Sequence, residues 1–186
     1  MKALLKKLGF NRRDPAAEPL YLTAVQAARQ EIYFTQLGVP DTVDGRFDMI
    51  SLTVALVNRR IGLVDPKHTD RRQNLAQDLF DVMFVDMKLN LREMGVSDEG
   101  MKYRLKPMAS AYLGRVKGYS DALAPVDEDE RLANFKAAVE RNIYRDMDDL
   151  SGSGALSARA IELSIELDGA TDEDILEGRF VFANLD

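Results

Sequence analysis

The chain has no cysteine and one histidine, His68. Disulfides, zinc–thiolate centres and thiol nucleophiles are therefore excluded, and a reducing compartment is permitted. His68 stands in the proline-containing loop GLVDPKHT at residues 62–69, and no Gly-x-Ser-x-Gly turn occurs anywhere. A Ser-His-Asp triad has nothing to be built from, and a lone loop histidine is ordinarily a solvated one. Phosphate-binding loops of the GxxxxGK[ST] and GxGxxG types are also missing. No run approaches the ~18 consecutive apolar residues of a transmembrane helix, so the chain is expected to be soluble. Its start, MKALLKKLGFNRRD, is basic like a signal n-region, yet no apolar segment or small-residue cleavage site follows, and secretion is not expected. Lysine and arginine number 25 against 31 acids, a net charge of -6, which disfavours bulk affinity for DNA. No internal period points to a repeat fold.

The 186 residues, 46% hydrophobic and 30% charged, suffice for one core and are short for two. Helical spacing of the apolar positions predicts an all-α, single-domain bundle of about six helices. A short basic arm is expected over residues 1–15, the helical domain over 16–168 and an acidic tail over 169–186. The arm interleaves Lys2, Lys6, Lys7, Arg12 and Arg13 with Leu4, Leu5, Leu8 and Phe10, a pattern that suits an anionic membrane surface and equally a frayed terminus. A first helix is predicted from residue 16 or 20 to 37, with Leu22, Val25, Ile32, Tyr33 and Leu37 on its buried face and Gly38 and Pro40 as its stop. A second starts on Asp41 or Thr42 as cap and aims Phe47, Ile50, Val54, Val57 and Ile61 at one core. Gly45, in its first turn, costs helix stability and is read as allowing another backbone to approach closely. After Pro125, four acids at residues 127–130 open a fifth helix carrying Leu132, Phe135, Val139, Ile143 and Met147. SGSG at 151–154 reads as a flexible break before a sixth helix over 156–167, and the Phe180-Val181-Phe182 run either folds back onto the core or docks elsewhere.

Residues 75–119 are the stretch around which the rest is expected to be arranged, two long helices joined by a turn at Gly95-Val96-Ser97. The first is apolar on two stripes, one of Phe80, Met83, Phe84, Met87, Leu91 and Met94 and one of Leu75, Leu79, Val82 and Leu89, which marks a central or partner-covered helix. Asp86, Asn90 and Glu93 recur along this helix between Leu79 and Leu89 on the wheel. A ferritin-like metal site needs Glu-x-x-His pairs that this chain does not have, so no metal or other cofactor is expected. The two acids are read instead as partners of basic residues on the next helix or as the lining of a solvated groove. The second helix carries Met101, Leu105, Met108, Tyr112, Val116, Tyr119 and Leu123 on one stripe, with Pro107 predicted to kink or split it. Between residues 101 and 119 the acids vanish and Lys102, Arg104, Lys106, Arg115 and Lys117 appear, in two lanes. A run of charge is most often a solvated face; the alternatives are phosphate binding and contact with an acidic partner or lipid headgroups. Methionine and aromatic side chains beside cations suit an adaptable protein surface. The candidate partner-binding residues are Lys102, Arg104, Lys106, Met108, Tyr112, Arg115, Lys117 and Tyr119.

Three segments, LGVPDTVDGRFDM at 37–49, LFDVMFVDMKLNLREMGVSD at 79–98 and YLGRVKGY at 112–119, resemble the ubiquinol-cytochrome c chaperone family. The resemblance covers residues 20–150, and its motifs are specific. It implies a non-enzymatic, α-helical assembly factor for respiratory complex III, the cytochrome bc1 complex, with cytochrome b or another assembly component as partner. Mitochondrial members act with a small helical partner, associate with the ribosome near the tunnel exit and hold newly made cytochrome b until it is assembled. This chain lacks an arginine-rich transit segment and is expected to be bacterial, acting in the cytoplasm with its arm as a peripheral contact to the inner membrane. Its acidic charge argues against ribosome contact. No catalytic residue carries over. By position, Asp41, Gly45, Arg46, Phe47 and Asp48 carry over from the first motif, Phe84, Asp86, Asn90, Leu91, Arg92, Glu93 and Gly95 from the second, and Gly114, Arg115 and Tyr119 from the third. They are read mostly as fold-specifying. Two rivals stand beside the chaperone: a helical carrier holding a lipid or isoprenoid ligand between its helices, and a carboxylate metal enzyme.

Overall fold

Helices α1 (Ala17–Ala28), α2 (Glu31–Thr35), α3 (Val43–Gly62), α4 (Thr69–Glu93), α5 (Asp98–Ala122), α6 (Glu128–Asn142), α7 (Ser153–Gly169) and α8 (Asp172–Leu176) account for most of residues 13–183, the part of the chain that the computed structural model describes. No strand occurs among the described residues, and six of the helices run to 12 residues or more, so the all-α bundle stands. All but the last three residues of the expected basic arm, and the last three of the expected acidic tail, lie outside the described residues. Hydroxyl and carboxylate caps open four helices. Thr42 accepts from the Gly45 amide at 3.1 Å, Ser97 from Gly100 at 3.1 Å, Asp127 from Glu130 at 2.9 Å and Thr171 from Asp174 at 3.1 Å. Each satisfies an amide that the helix start would leave bare.

The single first helix expected up to Leu37 is instead α1 and α2, broken at Gln30, whose backbone is extended. A helix continued through the break would bring Ile32, seven residues after Val25, onto the core face. The break exposes Ile32 and buries Tyr33 in its place.

The centre of the bundle is α3, not the hairpin. Every residue of 47–57 is buried, and α3 packs against α1, α4, α5, α7 and α8. A helix stretch covered on all sides has little room for polar side chains without partners, and over residues 47–57 α3 uses Ser51, Thr53 and Ala55 where an amphipathic helix would turn to water. Thr53 satisfies its hydroxyl locally, on the carbonyls of Met49 at 3.3 Å and Ile50 at 3.2 Å. The hairpin lies on one flank. In α4, Leu75, Leu79, Met83, Met87 and Leu91 form the buried row; of the expected stripes Val82 packs partly buried against the core, while Leu89 and Met94 are exposed, as is Val85. Gly95 closes α4 with φ at +80°, a left-handed conformation that side chains resist. The amides of Gly95 and Val96 turn back to Arg92 and Leu91 at 2.9 and 3.0 Å, a Schellman closure that delivers the chain to the Ser97 cap. Pro107 does not split α5. The carbonyl that loses its donor is that of Tyr103, on the solvent side of the helix, where water can replace it.

The SGSG stretch is packed rather than loose. A Cβ on Gly152 would lie 2.0 Å from the Leu37 carbonyl oxygen, and buried Ser153 donates to Glu140 at 2.8 Å while starting α7. The carboxyl-terminal segment folds back. Ile175, Leu176 and Phe182 are in the core, and buried Arg60 of α3 donates to the carbonyls of Leu167 and Ala170 and to Asp172 at 3.0, 2.7 and 2.8 Å.

Candidate partner-binding surface

Helix α5 sorts its cations by the direction each row faces. Lys102, Lys106 and Lys117 are exposed, and on the same outward side lie Tyr103, 75% exposed, and Leu113, 61% exposed. Tyr103, Lys106, Ser110, Leu113 and Lys117 follow steps of three and four, so they form one continuous stripe along the helix. Lys117 pairs with Asp121 one turn on, an exposed pair worth at most a few tenths of a kcal/mol. Arg104 is exposed, and it starts the row that continues through half-buried Met108 to Arg115. Three of the eight candidate residues are buried. Tyr112 packs against Phe80 and Phe84 with ring centroids 5.7 and 6.4 Å apart, and Tyr119 packs against Phe135 at 5.4 Å. Arg115 is the third, and it belongs to an ion cluster rather than to a surface lane.

That cluster is organised by Asp48, 2% exposed in the middle of α3. Arg115 Nη2 stands 2.7 Å from Asp48 Oδ1, and Arg145, just past α6, donates through Nη1 to Oδ2 at 2.7 Å. The Arg115 guanidinium also lies over the Phe47 ring, 5.3 Å from its centroid. Burial pushes the Asp48 carboxyl up from its ordinary range, and the Arg115 and Arg145 guanidiniums pull it back. Around the cluster α3, α5 and the end of α6 leave an open groove of about 570 Å³. Its α5 wall is Pro107, Met108, Ser110, Ala111 and Gly114, and its far wall is Arg141, Asn142 and Arg145.

The residues carried over from the family motifs fall into three places. Arg46 holds Asp41 in a two-pronged pair at 2.6 and 3.2 Å, Gly45 meets the Pro40 carbonyl, and Phe47 with Asp48 carries Arg115. On α4, Phe84 stacks with Phe80 at 4.5 Å and Asn90 donates to the Asp86 carbonyl at 2.8 Å. The Asp86 carboxylate accepts from Tyr21 of α1 at 2.6 Å, not from a base on α5, and burial with that hydrogen bond raises the Tyr21 phenol well above its usual range. Arg92 reaches Asp98 across the turn at 2.8 Å, and Glu93 is exposed. No group of three or more His, Asp or Glu placed to hold a metal ion occurs among the described residues. Arg141, Asn142 and Arg145 are not among the candidates read from the sequence, where α6 shows its opening acids and its apolar stripe. The signal that could have found them is two arginines four residues apart at the end of a helix that begins with four acids.

The model of the ubiquinol-cytochrome C chaperone family matches residues 35–182, which include the hairpin and the groove. A crystal structure of the Cbp3 homolog from Brucella abortus is similar over 100% of this chain and 98% of that one, with 29% identity and a TM-score of 0.76. No curated protein matches.

Proposed function

Because the chain belongs to the ubiquinol-cytochrome c chaperone family, we propose that it serves assembly of the cytochrome bc1 complex by holding newly made cytochrome b, or a helper protein, against the outward face of the α4–α5 hairpin. The observation that carries this reading is the α5 stripe, in which exposed Tyr103 and Leu113 are interleaved with exposed Lys102, Lys106 and Lys117. Exposed aromatic and aliphatic side chains between cations suit a partner that is apolar at its centre and acidic at its rim. Exposed Val85, Leu89 and Met94 on α4 add apolar surface on the other helix of the hairpin. No helix of the described residues is long and apolar enough to cross a membrane. On this reading the protein works in the cytoplasm, and the basic arm brings it to the inner membrane where its client is assembled.

Charge reversal tests the stripe. Lys102→Glu, Lys106→Glu and Lys117→Glu together are expected to leave stability within about 1 kcal/mol, since all three are exposed. The same triple variant should lower both complex III content and the cytochrome b recovered with the protein. Unchanged values of both would move the client to another face.

A further inference from the structure

The groove beside Asp48 has the makings of a binding site that the chaperone reading does not use. Arg115 lines the groove with its side chain only 8% exposed and its Nη2 on Asp48, so it contributes positive charge to the site rather than free donors. Arg145 is partly exposed, and a Cβ placed on Gly118 of α5 would lie 3.5 Å from Arg141 Nη2, which brings the Arg141 guanidinium up against α5 at the groove. Gly114, between these cations and Met108, has nothing within 4 Å of the position where a Cβ would stand. The helix gives up about 1 kcal/mol of propensity at that glycine and gains open space in the groove wall rather than a packing contact.

We infer that this groove binds a phosphate group, free or in a lipid headgroup, taken by Arg141 and Arg145 beside Arg115, with the organic part of the ester lying against Phe47 and Met108. Against the lining acids Asp44 and Asp48, the three arginines leave one net positive charge, which matches a phosphodiester monoanion. A carboxylate offers two oxygens, fewer than the free nitrogens of Arg141 and Arg145 can serve; a phosphate offers more acceptors in a tetrahedral array. At about 570 Å³ the groove takes a group larger than a bare ion. The cations come from two separated parts of the fold, α5 and the end of α6, so no glycine-rich loop is needed, and the absence of such a motif from the sequence does not bear on this site.

Binding is measured on the full chain by calorimetry, at constant ionic strength, with inorganic phosphate, with glycerol 3-phosphate, and with phosphatidylcholine vesicles with or without phosphatidylglycerol. Wild type should bind at least one phosphate probe, and Arg141→Glu and Gly114→Leu should each weaken that binding at least tenfold while melting cooperatively. Response to the soluble probes identifies a free phosphate ester. Response confined to phosphatidylglycerol vesicles, and lost in the groove variants, identifies a headgroup. Absence of binding to every probe overturns the inference, as does binding that both variants retain or that only the Lys102, Lys106 and Lys117 reversals abolish. Because complex III is not the readout, failure here leaves the chaperone reading standing, and failure there leaves this one.

Discussion

Replacing Asp48 by alanine is expected to destabilise the protein by about 3–5 kcal/mol, the range for removing one partner of a buried ion pair. Asp48 and Arg115 are 2% and 8% exposed at their side chains, so the variant strands a guanidinium between α3 and α5 without its counter-charge. Arg145 adds little to the loss, because it is 41% exposed and can turn to water. The cost therefore belongs to the stranded charge and not to the carboxylate as such. Pairing Asp48→Leu with Arg115→Met should recover most of the loss, since an apolar pair of similar volume fills the site without a charge to desolvate. Urea unfolding followed by circular dichroism reads both variants. A single-variant loss under about 1 kcal/mol would show that Arg115 reaches solvent more readily than its burial indicates.

Gly45→Ala carries the second large effect, and its sign is the informative part. Helix propensity alone favours alanine at an α3 position by about 1 kcal/mol. The added Cβ would stand 2.0 Å from the Pro40 carbonyl oxygen and 3.0 Å from its carbon, a backbone clash that no rotamer relieves. Relief requires residues 40–42 to move, and that disturbs the Thr42 amide bonded to Pro40 at 2.8 Å and the Thr42 cap of α3. A net loss of about 1–3 kcal/mol or more is expected, as for overpacked sites. Gly114→Ala is the control. Nothing lies within 4 Å of its Cβ position, so it should raise stability by up to about 1 kcal/mol. Two glycine-to-alanine changes in long helices would then move the urea midpoint in opposite directions. If both stabilise, the Pro40 approach is not a fixed contact.

Local features were legible in the sequence and the choice of centre was not. The α3 cap at Asp41 or Thr42, found on Thr42, the cap at Ser97 and the turn at Gly95 follow from what glycine and hydroxyl side chains do at helix ends, whereas the buried row of α4 takes residues from both expected stripes. The hairpin drew attention as the organising element because its apolar residues are large. The buried helix α3 hides its all-round burial behind Ser51, Thr53 and Asp48, which read as polar until the partners are placed around them. SGSG looked flexible by composition, but Gly152 is there because the Leu37 carbonyl lies against it, a contact between residues 115 positions apart that no local pattern records. For the candidate surface, the basic run on α5 and its two lanes, Lys102, Lys106 and Lys117 against Arg104 and Arg115, are legible, but not that Arg115 is buried while Arg104 is exposed. That difference depends on which neighbours cover the helix. Arg141 and Arg145 join the groove only once α6 is laid beside α5.

As a member of the ubiquinol-cytochrome c chaperone family, this protein is proposed to support assembly of the cytochrome bc1 complex. Deleting its gene, then recording the reduced-minus-oxidised spectrum of membranes and the lifetime of newly made cytochrome b, tests that most directly. The account predicts a loss of the bc1 haem signals with accelerated loss of new cytochrome b, both restored by the wild-type gene and not by the Lys102, Lys106 and Lys117 reversals. A normal bc1 spectrum with unchanged cytochrome b lifetime in the deletion strain would contradict it.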